Sequence, residues 1–134
     1  MGSIHKKLLG TWVSDKRRTL NTYKAYHDYS LGKKRKVGSI FGKVQVRYTT
    51  KYCYVTLNGD TVRDPYDVIA EDGASIVIRT YNHQLKKLAD PLLLDLMEDF
   101  FEPTIHHLHL ESENGQDYYW IGIRVLVEWF KKVG

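Results

Sequence analysis

Apolar and polar positions alternate along much of this chain, and a period of two predicts β-strands. The pattern opens at Leu8-Leu9-Gly10-Thr11-Trp12-Val13-Ser14, a short alternating segment with Gly two residues before Trp. Such a segment suits the first strand of a closed barrel, paired with the last strand while the indole plugs one end. The alternation then stops. Ser14 and Asp15 are two N-cap candidates, and Leu20, Tyr23 and His27 have roughly helical spacing. Gly32 punctuates the stretch, the basic run Lys33 to Lys36 follows, and Val37, Ile40 and Phe41 are spaced as one amphipathic turn before Gly42. Residues 16–41 read as two short helices, or a helix and a loop.

From Lys43 the period returns to two, with Val44, Val46, Tyr48 and Thr50 on one side and Lys43, Gln45, Arg47 and Thr49 on the other. A second strand covers Tyr52 to Leu57. Asn58-Gly59 then fits a type I′ turn, whose positive φ angles these two residues tolerate. The return strand, Thr61 to Ala70, contains Pro65, which lacks an N–H and is expected at an edge or bulge. Glu71-Asp72-Gly73 turns the chain into a strand over Ser75 to Tyr81. Asp90-Pro91 reads as an N-cap with Pro at the first helical position. Leu93, Leu96, Met97, Phe100 and Phe101 share one face of a helix near 91–101. Covering a barrel end is the favoured use of that face, and a homodimer contact is the other. Thr104 to Glu111 alternates again, Glu113-Asn114-Gly115 turns, and Tyr118 to Ile121 is a strand. Val125 to Val133 reads as strand or helix; a strand is preferred because the first strand needs a closing partner.

The fold expected is therefore mainly β: a closed, antiparallel, up-and-down barrel of about eight strands in a single domain, 1–134. The order of elements resembles the calycin superfamily, which includes lipocalins and fatty-acid-binding proteins. The residues that carry the likeness are the Gly10-Thr11-Trp12 strand, Phe41 to Thr49, Asp117 to Ile121 and Glu128 to Lys132, most similar to small bacterial lipocalin-like domains. The resemblance implies a barrel whose interior receives a small hydrophobic or amphipathic molecule. It also implies an Arg packed across the opening Trp, a role that falls to Arg124, with Trp12 and Arg124 closing the barrel. The Arg-x-Tyr pair that holds a carboxylate in the fatty-acid-binding branch is replaced here by Glu128-Trp129-Phe130.

Charge matters more by its distribution than by its sum. The 20 Lys/Arg and 16 Asp/Glu give +4 overall, but residues 1–52 hold 13 − 2 = +11 and residues 53–134 hold 7 − 14 = −7. This is usually a matter of solvated faces, and nucleic acid is not the first partner expected. A single cysteine, Cys53, excludes an internal disulfide and fits a reducing, cytoplasmic setting. No apolar run reaches transmembrane or signal-peptide length.

Candidate chemistry is sparse. Tyr48, Tyr66, Arg79 and Tyr119 lie on predicted strands and are the proposed polar contacts of a ligand, with Arg47 as an outside choice. An Arg turned inward needs an anionic partner, and solvent-facing arginines are the commoner case. His107-x-His109 has a spacing used in metal sites, with Glu111 or His83 as a third ligand, but an exposed polar strand face explains it better. No metal or cofactor is expected. No Ser-His-Asp arrangement and no Gly-rich phosphate loop is legible. Two further readings stay open. One is a barrel cyclase or isomerase that holds a substrate in a reactive shape. The other is nucleic-acid binding through Lys33 to Lys36, or through Arg47 and Lys51 interleaved with Tyr48, Tyr52 and Tyr54.

Overall fold

The structure, a computed structural model, describes residues 3–39, 41–81, 84, 87, 104–123 and 126–134. Eight antiparallel strands close into one barrel in the order of the chain. They are β1 (Gly10–Ser14), β2 (Gln45–Tyr48), β3 (Tyr52–Leu57), β4 (Asp60–Glu71), β5 (Ser75–Thr80), β6 (Thr104–Glu113), β7 (Gln116–Ile123) and β8 (Leu126–Lys132). The seam is closed by β1 against β8, with Trp12 opposite Lys132 and Ser14 opposite Phe130. Residues 126–132 are thus a strand, and the barrel bites shut as the alternation required. The helix expected near 91–101 lies outside the described residues.

The local signals explain the connections. Asn58 (φ 53°) and Gly59 (φ 85°) both take the left-handed conformation, and so do Asn114 (φ 52°) and Gly115 (φ 78°). These are the tight hairpins that join β3 to β4 and β6 to β7. Pro65 is neither at a sheet edge nor at the bulge, which falls between Val68 and Ala70. It sits where β4 changes neighbours: Asp60 to Pro65 pair with β3, and pairing with β5 begins at Tyr66. The Tyr66 N–H turns toward β3 and donates to Lys51 O at 3.1 Å. Pro65 therefore faces the other way, past the end of β5 at Thr80, and its missing N–H breaks no ladder bond.

One end of the barrel is stopped by a helix that the alternation did not reveal. Leu8 belongs to α1 (Ser3–Leu8), not to the strand that follows. Ile4 and Leu8, four residues apart, share the buried face of that turn. The Trp12 indole N–H donates to Leu8 O at 2.8 Å, tying helix to strand. Gly10 makes the sharp entry into β1, with φ at 126°, and a Cβ there would stand 2.4 Å from Gly134 O. No other residue fits that position without moving the C-terminus.

After β1 comes the helical insertion, which contains two helices and a 3₁₀ turn and whose first helix lies against β8. The first helix, α2 (Lys16–Thr22), is capped by Asp15, whose carboxylate accepts from Arg18 N–H. A 3₁₀ turn (Lys24–Asp28) leads to α3 (Leu31–Gly38), which has Ser30 as its N-cap. Gly32 lies inside α3 and does not end a helix, and the basic run Lys33 to Lys36 is helical. Buried Thr19 fastens α2 to the barrel by accepting from Trp129 N–H at 2.9 Å. No helix among the described residues is long and apolar enough to cross a membrane.

Candidate functional site

Because strand side chains alternate, each strand contributes one set of residues to the barrel interior. The inner set encloses a cavity of about 20 Å³, walled by Val46, Val55, Ile78, Leu108, Ile121 and Phe130. Five groups with polar atoms share its lining: Tyr48, Cys53, Thr80, His106 and Tyr119. That volume holds about one water molecule. A more open cleft of about 100 Å³ lies at the rim, between α1, the β4–β5 turn and β6–β7. Among the described residues, four buried titratable groups, Tyr48, Cys53, His106 and Tyr119, line the enclosed cavity, and none lines the cleft.

Aromatic rings organise this interior. Tyr119 packs edge-on to Trp12 at 4.8 Å and stacks on Phe130 at 4.7 Å. Its hydroxyl lies 3.2 Å from that of Tyr48. Tyr48 in turn packs edge-on to Tyr66 at 5.5 Å. The Tyr66 hydroxyl donates to Thr49 O and accepts from His5 Nε2 at 2.7 Å, so α1 also touches the cluster. Burial raises the pKa of Tyr48, Tyr66 and Tyr119 well above that of a free phenol, so all three remain neutral hydrogen-bonding groups. Burial also pushes the Cys53 thiol up to about 12 and the His106 imidazole down to about 4. A thiol held protonated is no nucleophile at neutral pH. His106 is a neutral imidazole there.

Below the helical insertion stands a buried carboxyl, Glu128, only 2% exposed. Ser14 Oγ donates to its Oε2 at 2.8 Å and accepts the Gly42 N–H at 3.1 Å. Desolvation pushes the carboxyl up to about 7, against the opposing effect of the Ser14 bond. A second buried carboxyl, Asp64, accepts the Gln84 N–H on both oxygens at 3.1 and 3.2 Å.

The candidate residues separate by strand parity. Tyr48, Tyr66 and Tyr119 all point inward and form one cluster. Arg47 and Arg79 do not belong to it. Each precedes an inward residue, Tyr48 or Thr80, and so emerges on the outer face. Arg47 lies over the Tyr54 ring at 4.1 Å, and Arg79 pairs across the ladder with Asp67. Trp12 is fully buried. Arg124 lies outside the described residues; among the described residues Lys132 lies over the Trp12 ring, at 5.6 Å.

The histidine pair is on the outer face and already engaged. His107 Nε2 donates to Ser75 Oγ at 2.7 Å, Ser75 donating onward to Asp72. His109 stacks on Trp120 at 3.8 Å, and Glu111 accepts the Trp120 indole N–H. His83 lies outside the described residues. Among the described residues no three His, Cys, Asp or Glu side chains form a metal-holding group. Tyr52 and Tyr54 face outward under Arg63 and Arg47.

Sequence reasoning missed Cys53, Thr80, His106, Ser14 and Glu128. The signal that finds them is parity: His106 shares a strand face with Leu108, and Glu128 shares one with Phe130. No family model, curated protein or solved structure matches the chain.

Proposed function

We propose that this barrel binds a small amphipathic molecule in its interior, in the manner of the lipocalin-like proteins its sequence resembles. The supporting observation is the lining of the cavity, an apolar wall into which Tyr48, Tyr119, Cys53, Thr80 and His106 bring hydrogen-bonding groups. Such a wall offers burial to an apolar body and a few polar contacts to fix its orientation. The resident space of about 20 Å³ is smaller than any organic ligand, so binding displaces side chains. The Tyr48–Tyr119 contact, at 3.2 Å, is the natural one to open, because each hydroxyl can exchange its partner for a ligand atom. A reducing compartment suits the buried free thiol, and the cytoplasm is the proposed location.

Native mass spectrometry of the purified protein, with a fluorescence titration of the neutral probe N-phenyl-1-naphthylamine, tests this reading. The expected results are a non-covalent adduct that denaturation releases and a saturable signal weakened about tenfold in Tyr119→Phe. A bare protein mass together with no saturable signal would overturn it. The small volume favours a second reading, a barrel filled by its own side chains whose outer surface meets a partner; the bare protein is its expected result.

A further inference from the structure

Glu128 is a buried group whose bonding is visibly incomplete and whose place in the barrel suggests why. Its Oε2 is taken by Ser14, and Ser14 is fully committed, its proton on Glu128 and its oxygen holding the Gly42 N–H. Oε1 has no hydrogen-bond partner among the described residues, although the side chain is sealed from solvent. A buried polar atom left unpaired is costly, and natural proteins keep few of them. The ion pair of Arg18 with Glu113 lies elsewhere, at the surface, and brings no cation to this carboxyl. Glu128 does not itself line the cavity, but two residues that do flank it: Ile121, its cross-strand partner, and Phe130, next on the same inward face.

We infer that the molecule this barrel takes carries a protonated nitrogen, and that its N–H pairs with Oε1 of Glu128. This rests on the reading of the barrel as a small-molecule binder and specifies the ligand's head group. To the ionised form of Glu128 a cation supplies both a donor for Oε1 and a charge to balance the carboxylate. A carboxylate ligand would bring a second acceptor and a like charge against the same atom. The carboxyl is also poised to ionise when a cation arrives, since burial holds its pKa near neutrality. Tyr119, whose phenol is raised further by Glu128, connects this position to the tyrosine cluster. The predicted ligand is therefore a short apolar body with an ammonium head, the head at Glu128 and the body against Ile121 and Phe130.

Three probes of matched length, hexylamine, hexanol and hexanoate, separate the outcomes by calorimetric titration near neutral pH. The wild-type protein is expected to bind hexylamine at least about tenfold more tightly than hexanol, with hexanoate weakest. In Glu128→Gln, an uncharged isostere, that preference is expected to shrink to about twofold while hexanol binding is kept. Equal wild-type affinities for the amine and the alcohol would overturn the inference and leave the binding reading intact. So would an amine preference that survives in Glu128→Gln. If none of the three probes binds and native mass spectrometry finds no adduct, the binding reading itself fails. The wild-type comparison needs no variant and decides the matter even if Glu128→Gln does not fold.

Discussion

His106 and His107 are adjacent in the chain and live in different chemistries. His106 points into the barrel, where desolvation holds its pKa near 4; His107 points out and bonds to Ser75. The same division runs round the wall. Inside, aromatic rings pack against each other and their hydroxyls have one or two protein partners. Outside, aromatic rings are covered by cations: Arg47 over Tyr54, Arg63 over Tyr52, and Arg18 over both Tyr118 and Trp129. Inside, a polar atom is worth what its partner makes it worth. Outside, water substitutes for a lost partner and the same contact matters less.

Truncation should expose that contrast most strongly. Tyr119→Ala removes a ring packed on Trp12, Phe130 and Tyr48 and is expected to cost about 3–5 kcal/mol in urea denaturation. Tyr54→Ala, on the outer face of β3, is expected to cost about 1 kcal/mol or less. Equal losses would mean that the two faces are not energetically distinct.

Two buried groups should give stability opposite dependences on pH. The Glu128 carboxyl rises from 4.5 to about 7 on folding, so the native state keeps a proton that the unfolded chain has released. Its contribution is greatest below about 4.5 and is lost as pH rises toward 7, by about 3 kcal/mol at most. His106 falls from 6.5 to about 4, so the unfolded chain binds a proton that the native state refuses. Its contribution is complete above about 6.5 and is lost as pH falls toward 4, again by about 3 kcal/mol at most. Between about 4.5 and 6.5 the two slopes oppose each other, and their joint contribution should be nearly flat. Glu128→Gln should leave stability falling on acidification, and His106→Gln should leave it falling on alkalinisation. Denaturation midpoints measured across pH for the three proteins check both signs; parallel profiles would show that neither group titrates as placed.

Smaller effects sharpen the same contrast. Tyr48→Phe leaves the Tyr119 hydroxyl without its partner and is expected to cost about 1 kcal/mol, read from the denaturation midpoint. Arg47→Ala removes only an exposed cation over Tyr54 and should cost under about 1 kcal/mol, less still in high salt.

Much of this was legible residue by residue. The Asn58-Gly59 hairpin follows from two residues that tolerate positive φ, and the inward placing of Tyr48 and Tyr119 follows from their apolar neighbours on the same parity. Parity also assigns Arg47 and Arg79 to the outside, because an inward residue follows each of them. The short helix α1 was hidden because Leu8 and Leu9 run directly into the Gly10–Ser14 strand, and six residues are too few to display a helical period.

What the linear order decided was most of the architecture, the succession of strands, the hairpins and the helical insertion, which depend on local backbone preference and period; the last strand, ambiguous by local preference, was decided by its pairing with β1. What only three dimensions decided was which groups meet. Ser14 and Glu128 are separated by 114 positions yet share a hydrogen bond, and Tyr48 and Tyr119 by 71. Closure of β1 on β8 brings the first pair together, and the curvature of the barrel brings the second. An unpaired oxygen inside a sealed wall is likewise a property of the closed barrel, because in an open chain water would satisfy it.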